Sequence, residues 1–211
     1  MRNAIGSLGK VFFLVSLLAA PVLAQNRLQA GATPAAAGPT FDLGIGYTYV
    51  KMPIPGATSV NLDGIDLSGQ INFHPHWGVT LDSTYARTPN VLGTQHAGYL
   101  LTFLGGPVFY PAGRGNTRMF VHVLGGMGLV DGAVPIAGTE TFHGWESQFS
   151  YAAGGGVERP ITGPLAVRVS GDYLRSSFFN SAGAVMPQNN LRLTLSLVFR
   201  LNNRLPSARF R

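Results

Sequence analysis

Five charged residues, Asp82, Glu158, Arg168, Asp172 and Arg192, sit among alternating apolar residues in segments that carry almost no other charge. Three carboxylates and two guanidinium groups gathered in one small interior have two uses. They form an ionic network that plugs or gates a passage, or they fill a core and satisfy one another. Arg168 and Asp172 lie two same-face steps apart on one strand, and Arg192 lies on the adjacent strand. A buried pair need not stabilise a fold, yet removing one member leaves a charge uncompensated at a cost of about 3–5 kcal/mol.

The histidines offer less chemistry. His74 and His76, in H-P-H-W, have the spacing of two metal ligands, but Pro75 marks a tight turn and no third ligand stands nearby, so a turn and no metal are expected. His96 and His122 fall on the polar parity of their segments and read as hydrogen-bonded fillers rather than proton switches. His143, with Trp145 and Glu146, lies in the longest connection, where a plain exposed loop and a ligand-binding surface are both open readings. Gly154-Gly155-Gly156 is no phosphate cradle, because no helix follows it. No catalytic residue and no cofactor are expected.

A two-residue rhythm positions these groups. From Asn189 the chain runs N-N-L-R-L-T-L-S-L-V-F-R-L, with Leu191, Leu193, Leu195, Leu197 and Phe199 on one parity and Arg192, Thr194, Ser196 and Arg200 on the other. Such alternation over about ten residues exceeds the usual globular strand and matches the nine to eleven residues of a tilted bilayer-crossing strand. The same rhythm marks Thr40–Val50, Leu62–Phe73, Trp77–Ala86, Gln95–Tyr110, Arg118–Val130, Gln148–Glu158 and Leu165–Leu174, which with Asn190–Leu201 makes eight strands and an all-β chain. The apolar parity is expected to face lipid and the polar parity to fill the interior.

In hydrocarbon every unpaired backbone donor or acceptor costs several kcal/mol, so only a sheet closed on itself survives there. On the parity above Asp42, Asp66, Asp82, Glu158, Arg168, Asp172, Arg192 and Arg200 all point inward, while Arg87 and Arg175 point outward only at strand ends. Glycines on the inward parity (Gly44, Gly46, Gly98, Gly126, Gly154, Gly156) suit the crowded interior of a small barrel. Connections alternate in length: 51–61, 87–94, 131–147 and 175–189 are long, whereas 74–76, 111–117 and 159–164 are short. Outer-membrane barrels show short periplasmic turns and longer external loops.

Outside the strands, Arg2 and Lys10 precede the apolar run Val11–Ala20, and Val22-Leu23-Ala24 supplies small residues before Gln25, so residues 1–24 read as a signal peptide cleaved after Ala24. Residues 25–39 form a flexible leader, 40–201 the barrel and 202–211 a basic tail. Loss of Arg2 and Lys10 lowers the formal charge from +6 to +4, and no basic cluster is interleaved with aromatics as a nucleic-acid surface requires. Zero cysteines exclude a disulfide scaffold and thiolate metal sites.

Met119–Gly128 (M-F-V-H-V-L-G-G-M-G), Tyr151–Glu158 (Y-A-A-G-G-G-V-E), Leu165–Leu174 (L-A-V-R-V-S-G-D-Y-L) and Asn189–Phe199 together resemble the OmpA-like family of eight-stranded outer-membrane β-barrels, over roughly residues 40–201. The resemblance implies a signal peptide, a bacterial outer-membrane location and a structural, adhesive or weakly pore-forming role with no shared catalytic residue. It implies as partners the outer-membrane lipids, lipopolysaccharide and the barrel-assembly machinery, with any extracellular ligand met at residues 131–147 and 175–189. Such chains usually stop at an aromatic, whereas this one runs past Phe199 to Arg211, so the assembly signal falls to Phe199 or Phe210. The competing readings are a lipid A-modifying acyl hydrolase or transferase, against which no His here is followed by Ser two residues on, and a soluble lipocalin-like barrel with its apolar face inward.

Overall fold

The computed structural model describes residues 39–53, 59–91, 94–111, 113–114, 116–132, 134–135, 141–142, 144–179 and 185–201. The expected signal peptide, nearly all of the leader, the basic tail with Phe210, and His143 lie outside the described residues. Eight long strands carry the fold: β1 (Thr40–Met52), β2 (Val60–His74), β3 (Trp77–Thr88), β4 (Gly98–Phe109), β5 (Thr117–Asp131), β6 (Trp145–Thr162), β7 (Leu165–Phe179) and β8 (Val185–Arg200). Each pairs antiparallel with its neighbours in sequence, and β8 pairs with β1, so the sheet closes into a barrel with no free edge.

The closure is sheared. Following registered partners once round, Thr40 meets Asn72, then Gly78, Val108, His122, Gly154, Asp172 and Arg192, and the path returns to β1 at Val50, ten residues beyond its start. A stagger of that size over eight strands tilts them by about 40° to the barrel axis and leaves an interior just wide enough for side chains.

Alternation then sorts the residues. Leu43, Ile45, Leu67, Leu81, Val123, Leu193, Leu195 and Leu197 lie on the outer face, and Leu81 remains 63% and Leu195 54% exposed. In water so continuous an apolar surface would aggregate; it is the surface a lipid-embedded barrel needs. Asp42, Asp66, Glu158, Arg168, Asp172 and Arg192 are buried on the opposite parity.

The short connections are two-residue turns at Pro75–His76 and Gly163–Pro164, with Gly113–Arg114 paired to Thr117 and Arg118 in the third. At the other end the strands run further than the sequence reading allowed. The alternation of β7 and β8 weakens beyond Leu174 and before Asn190, yet ladder pairing continues from Arg175–Asn189 to Phe179–Val185. The expected 175–189 loop is therefore mostly strand, and Arg175 stands four residues inside β7. Likewise β6 begins at Trp145, and Val134–Pro135 pairs with Thr141–Phe142 within the 131–147 connection. Conversely β4 starts at Gly98 rather than Gln95, which places His96 in an exposed turn and not in the lumen. There its carbonyl accepts the Val91 N–H, while Gln95 takes a positive φ of 61°.

Gly154-Gly155-Gly156 has a structural use. A Cβ on Gly156 would overlap the Val169 carbonyl oxygen and come within 2.8 Å of the Ser170 Cα. The Gly156→Val variant is expected to lose about 1–3 kcal/mol of stability through this overpacking, read as a lower urea midpoint for the folded barrel in micelles.

Candidate functional site

Among the described residues the buried polar side chains gather in the lumen, and its contents fall into three layers. Nearest the short turns, Glu158 of β6 is fully buried and gathers the arginines. Arg168 of β7 donates to its Oε2 from Nε at 3.1 Å and Nη2 at 2.7 Å, Arg200 of β8 donates to Oε1, and Arg118 of β5 approaches at 4.0 Å. Arg168 also donates across the lumen to Gln70 of β2 at 3.2 Å. Gln70 in turn donates to Asn72 at 2.5 Å and to the Tyr110 hydroxyl at 2.6 Å, and Asn72 donates to Asp42 at 2.9 Å. Arg118 lies over the Tyr110 ring at 4.0 Å and Arg168 over Phe120 at 5.1 Å, so flat cations are sandwiched against aromatic faces as well as paired.

The middle layer is built on Arg192 of β8, only 1% exposed. It reaches across to Asp82 of β3 at 2.5 Å and Thr84 at 2.8 Å, and to Asp172 of β7 from Nε at 2.9 Å and Nη2 at 2.7 Å, with Asp66 of β2 at 3.9 Å. Thr84 bridges on to Asp66 at 2.9 Å. His122 Nε2 lies 2.7 Å from the other Asp172 oxygen. Registered pairing explains the proximity: His122, Gly154, Asp172 and Arg192 follow one another across β5 to β8, and glycine at 154 leaves the space that the Asp172 carboxylate occupies. A polar cavity of about 20 Å³, room for one water molecule, lies between this layer and the first; Gln70 and Arg168 line it on one side, Asp66, Asp82 and His122 on the other.

The third layer, towards the long connections, is apolar. Val50, Met52, Val60, Leu62, Ala86, Leu100, Leu104, Leu124, Val130, Ala152 and Leu174 pack together on the inward parity, joined by Val91 from the connection between β3 and β4. This corrects the expectation of a wholly polar interior. The outer third is filled largely like the core of a water-soluble barrel, interrupted by the buried hydroxyls of Thr102 and Ser150 and by a polar patch where Asn190 donates to Ser176 at 2.7 Å.

Of the five charged residues singled out from sequence, the structure places Asp82, Asp172 and Arg192 in one cluster and Glu158 and Arg168 in another. Arg168 pairs with Glu158 rather than with Asp172 on its own strand, because Glu158 is its registered partner on β6. Asp42, Asp66, Arg118, His122 and Arg200 join these clusters. All but Arg118 were assigned to the inward parity from sequence, and distances across the lumen supply the rest. His76 Nδ1 pairs with the Tyr110 carbonyl at 2.8 Å, its ring 5.7 Å from that of His74. Among the described residues no set of three or more His, Cys, Asp or Glu is grouped to hold a metal ion.

No family model and no curated protein sequence matches the chain. Solved structures do. Neisserial surface protein A superposes with a TM-score of 0.58 at 12% identity, covering 78% of this chain and 99% of that one. The attachment invasion locus protein Ail of Yersinia pestis gives 0.54 at 16% identity over 78% and 99%, and OprG of Pseudomonas aeruginosa gives 0.50 at 11% identity over 79% and 97%. At such identities the likeness is one of backbone architecture, and it agrees with the closed ring, its shear and its greasy exterior: this chain has the fold of the eight-stranded outer-membrane β-barrels.

Proposed function

We propose that the protein is a sealed, non-enzymatic barrel of the bacterial outer membrane that acts through its external surface rather than as a pore. The observation that carries this is Arg192: a guanidinium on β8, bound to carboxylates on β3 and β7, stretches from wall to wall beneath the apolar layer and above the Glu158 cluster. An ion entering the lumen would meet greasy packing first, where dewetting opposes passage, and then two charge clusters whose cations are already paired with carboxylates. The purified protein is expected to give no unitary conductance in planar bilayers. Stable single-channel steps from the wild-type chain would overturn the reading.

The enzyme and lipocalin readings are less well supported. His122 and its carboxylate face the lumen, out of reach of a lipid acyl chain. A lipocalin-like barrel would turn its leucines inward, whereas Leu193, Leu195 and Leu197 face out. Export through a cleaved signal at Ala24, insertion by the barrel-assembly machinery with Phe199 or Phe210 as its cue, and an orientation with the short turns in the periplasm complete the proposal. Ail has been solved with the heparin analogue sucrose octasulfate. In the present chain residues 53–59, 89–97, 132–144 and 180–184, which link the strands at the long-connection end, contain no Lys or Arg. With Glu140 as their one charged residue, these segments offer no cation to an anionic ligand, and a polyanion is not expected there.

A further inference from the structure

The cations missing from the loops stand instead on the outer wall. Three of the strands that run towards the long connections carry the same outward triplet: Tyr49-Val50-Lys51 on β1, Tyr85-Ala86-Arg87 on β3 and Tyr173-Leu174-Arg175 on β7. In each triplet the middle residue is fully buried in the lumen, so the tyrosine and the cation both project away from it.

Register puts the three at one height. Lys51 is paired with Asn61 on β2 and Leu191 on β8. Arg87 is paired with Asp63, two residues inward of Asn61, and Arg175 with Asn189, two residues outward of Leu191. A stagger of ten residues over eight strands amounts to between two and three residues for every two strands. Those offsets therefore bring Lys51, Arg87 and Arg175 level around the barrel. Neighbouring cations of the set are two strands apart, a backbone separation of about 12 Å once the offset along the strand is included.

At the same height the remaining wall is apolar, with Leu101 on β4, Met127 and Leu129 on β5 and Phe149, 73% exposed, on β6. The cations are thus confined to the arc β7–β8–β1–β2–β3. The acidic group in that arc, Asp63, accepts the Tyr47 hydroxyl. Among the described residues no ion pair engages Lys51, Arg87 or Arg175; Arg87 stacks 5.8 Å from the Tyr99 ring, and Arg175 shares Asn189 with the Tyr173 hydroxyl. Tyrosine rings favour the boundary between acyl chains and head groups, and a cation one step above them meets whatever charge the head groups carry.

Resting on the outer-membrane reading above, we propose that this arc is a docking surface for a phosphate-bearing outer-leaflet lipid, lipopolysaccharide, with Tyr49, Tyr85 and Tyr173 against its acyl-chain boundary and Lys51, Arg87 and Arg175 on its phosphates. The face is one-sided, so it orders lipid along β7 to β3 and leaves β4 to β6 to ordinary acyl contacts.

The test uses the full mature barrel refolded in zwitterionic detergent, titrated with lipopolysaccharide, with dephosphorylated lipopolysaccharide and with inorganic phosphate. One cation near a charged membrane surface contributes about fivefold in affinity, so Lys51→Gln, Arg87→Gln and Arg175→Gln together are expected to weaken lipopolysaccharide binding by about a hundredfold. Dephosphorylated lipid should bind wild type as weakly as the phosphorylated lipid binds the triple variant, and inorganic phosphate should not compete at matched concentration. Equal binding of lipopolysaccharide by wild type and triple variant, or equal affinity for the dephosphorylated lipid, would overturn the assignment. Competition by inorganic phosphate would also overturn it, reducing the arc to a general anion surface. Heat-modifiable mobility and membrane fractionation of the same variant report separately on the barrel, so loss of lipid binding in a folded, membrane-borne protein bears on this site alone.

Discussion

Replacing Arg192 by leucine is expected to destabilise the folded barrel by about 3–5 kcal/mol. The variant removes the one cation that Asp66, Asp82 and Asp172 share and leaves three carboxylates facing one another in a space where water has little access. Leucine fits the space but answers none of the charge. Folding of the variant in micelles should show a urea midpoint shifted well below that of wild type, with heat-modifiable mobility lost at lower temperature. Adding Asp82→Asn and Asp172→Asn to Arg192→Leu should recover much of the loss, because the penalty comes from uncompensated charge and not from missing packing. A strongly non-additive cycle of this kind is the signature of one network. An Arg192→Leu barrel as stable as wild type would mean that the carboxylates are hydrated and that the lumen is open enough to screen them.

The second large effect is on the opposite face. Leu195→Arg should cost about 2–4 kcal/mol, whereas Phe199→Arg, four residues nearer the short turns on the same outward parity, should cost about 0–1 kcal/mol. Leu195 is registered with Tyr47 on β1 and Val169 on β7, in the middle of the belt, while Phe199 lies one residue from the end of β8 beside Leu43 and Leu165. The physical cause is depth: an arginine at midplane must drag its hydration into hydrocarbon, and one near the interface extends its head group into water. Reversible unfolding of the two variants from lipid bilayers measures the difference directly. Equal costs at the two positions would deny the depth dependence and with it the assignment of this face to lipid.

The eight-strand count, the facing of nearly every strand residue and the polar character of the lower lumen are legible from a period of two alone, because the pleat of a strand makes alternation equivalent to geometry. Leu191 to Phe199 declare their face without any neighbour. Strand ends are less legible. Hydrogen bonding to a partner extends β7 to Phe179 and β8 back to Val185, where alternation gives no signal, and His96 falls out of β4 because its neighbours turn there.

Contacts across the barrel were decided only by closure. Parity says that Arg168, Asp172 and Arg192 point inward and neighbour register pairs Arg168 with Glu158 and Arg192 with Asp172, but only a closed ring with a shear of ten residues determines that Arg168 also meets Gln70 and Arg192 also meets Asp82. The apolar cap is the plainest case. Val50, Leu62, Leu100, Val130 and Leu174 lie far apart along the chain, each an apolar intruder on a polar parity, and they make one layer because register brings them to one end of a closed cylinder. Height is a property of the ring and not of any strand, which is also why three separate Tyr-x-Lys/Arg triplets become a single arc once the sheet is closed.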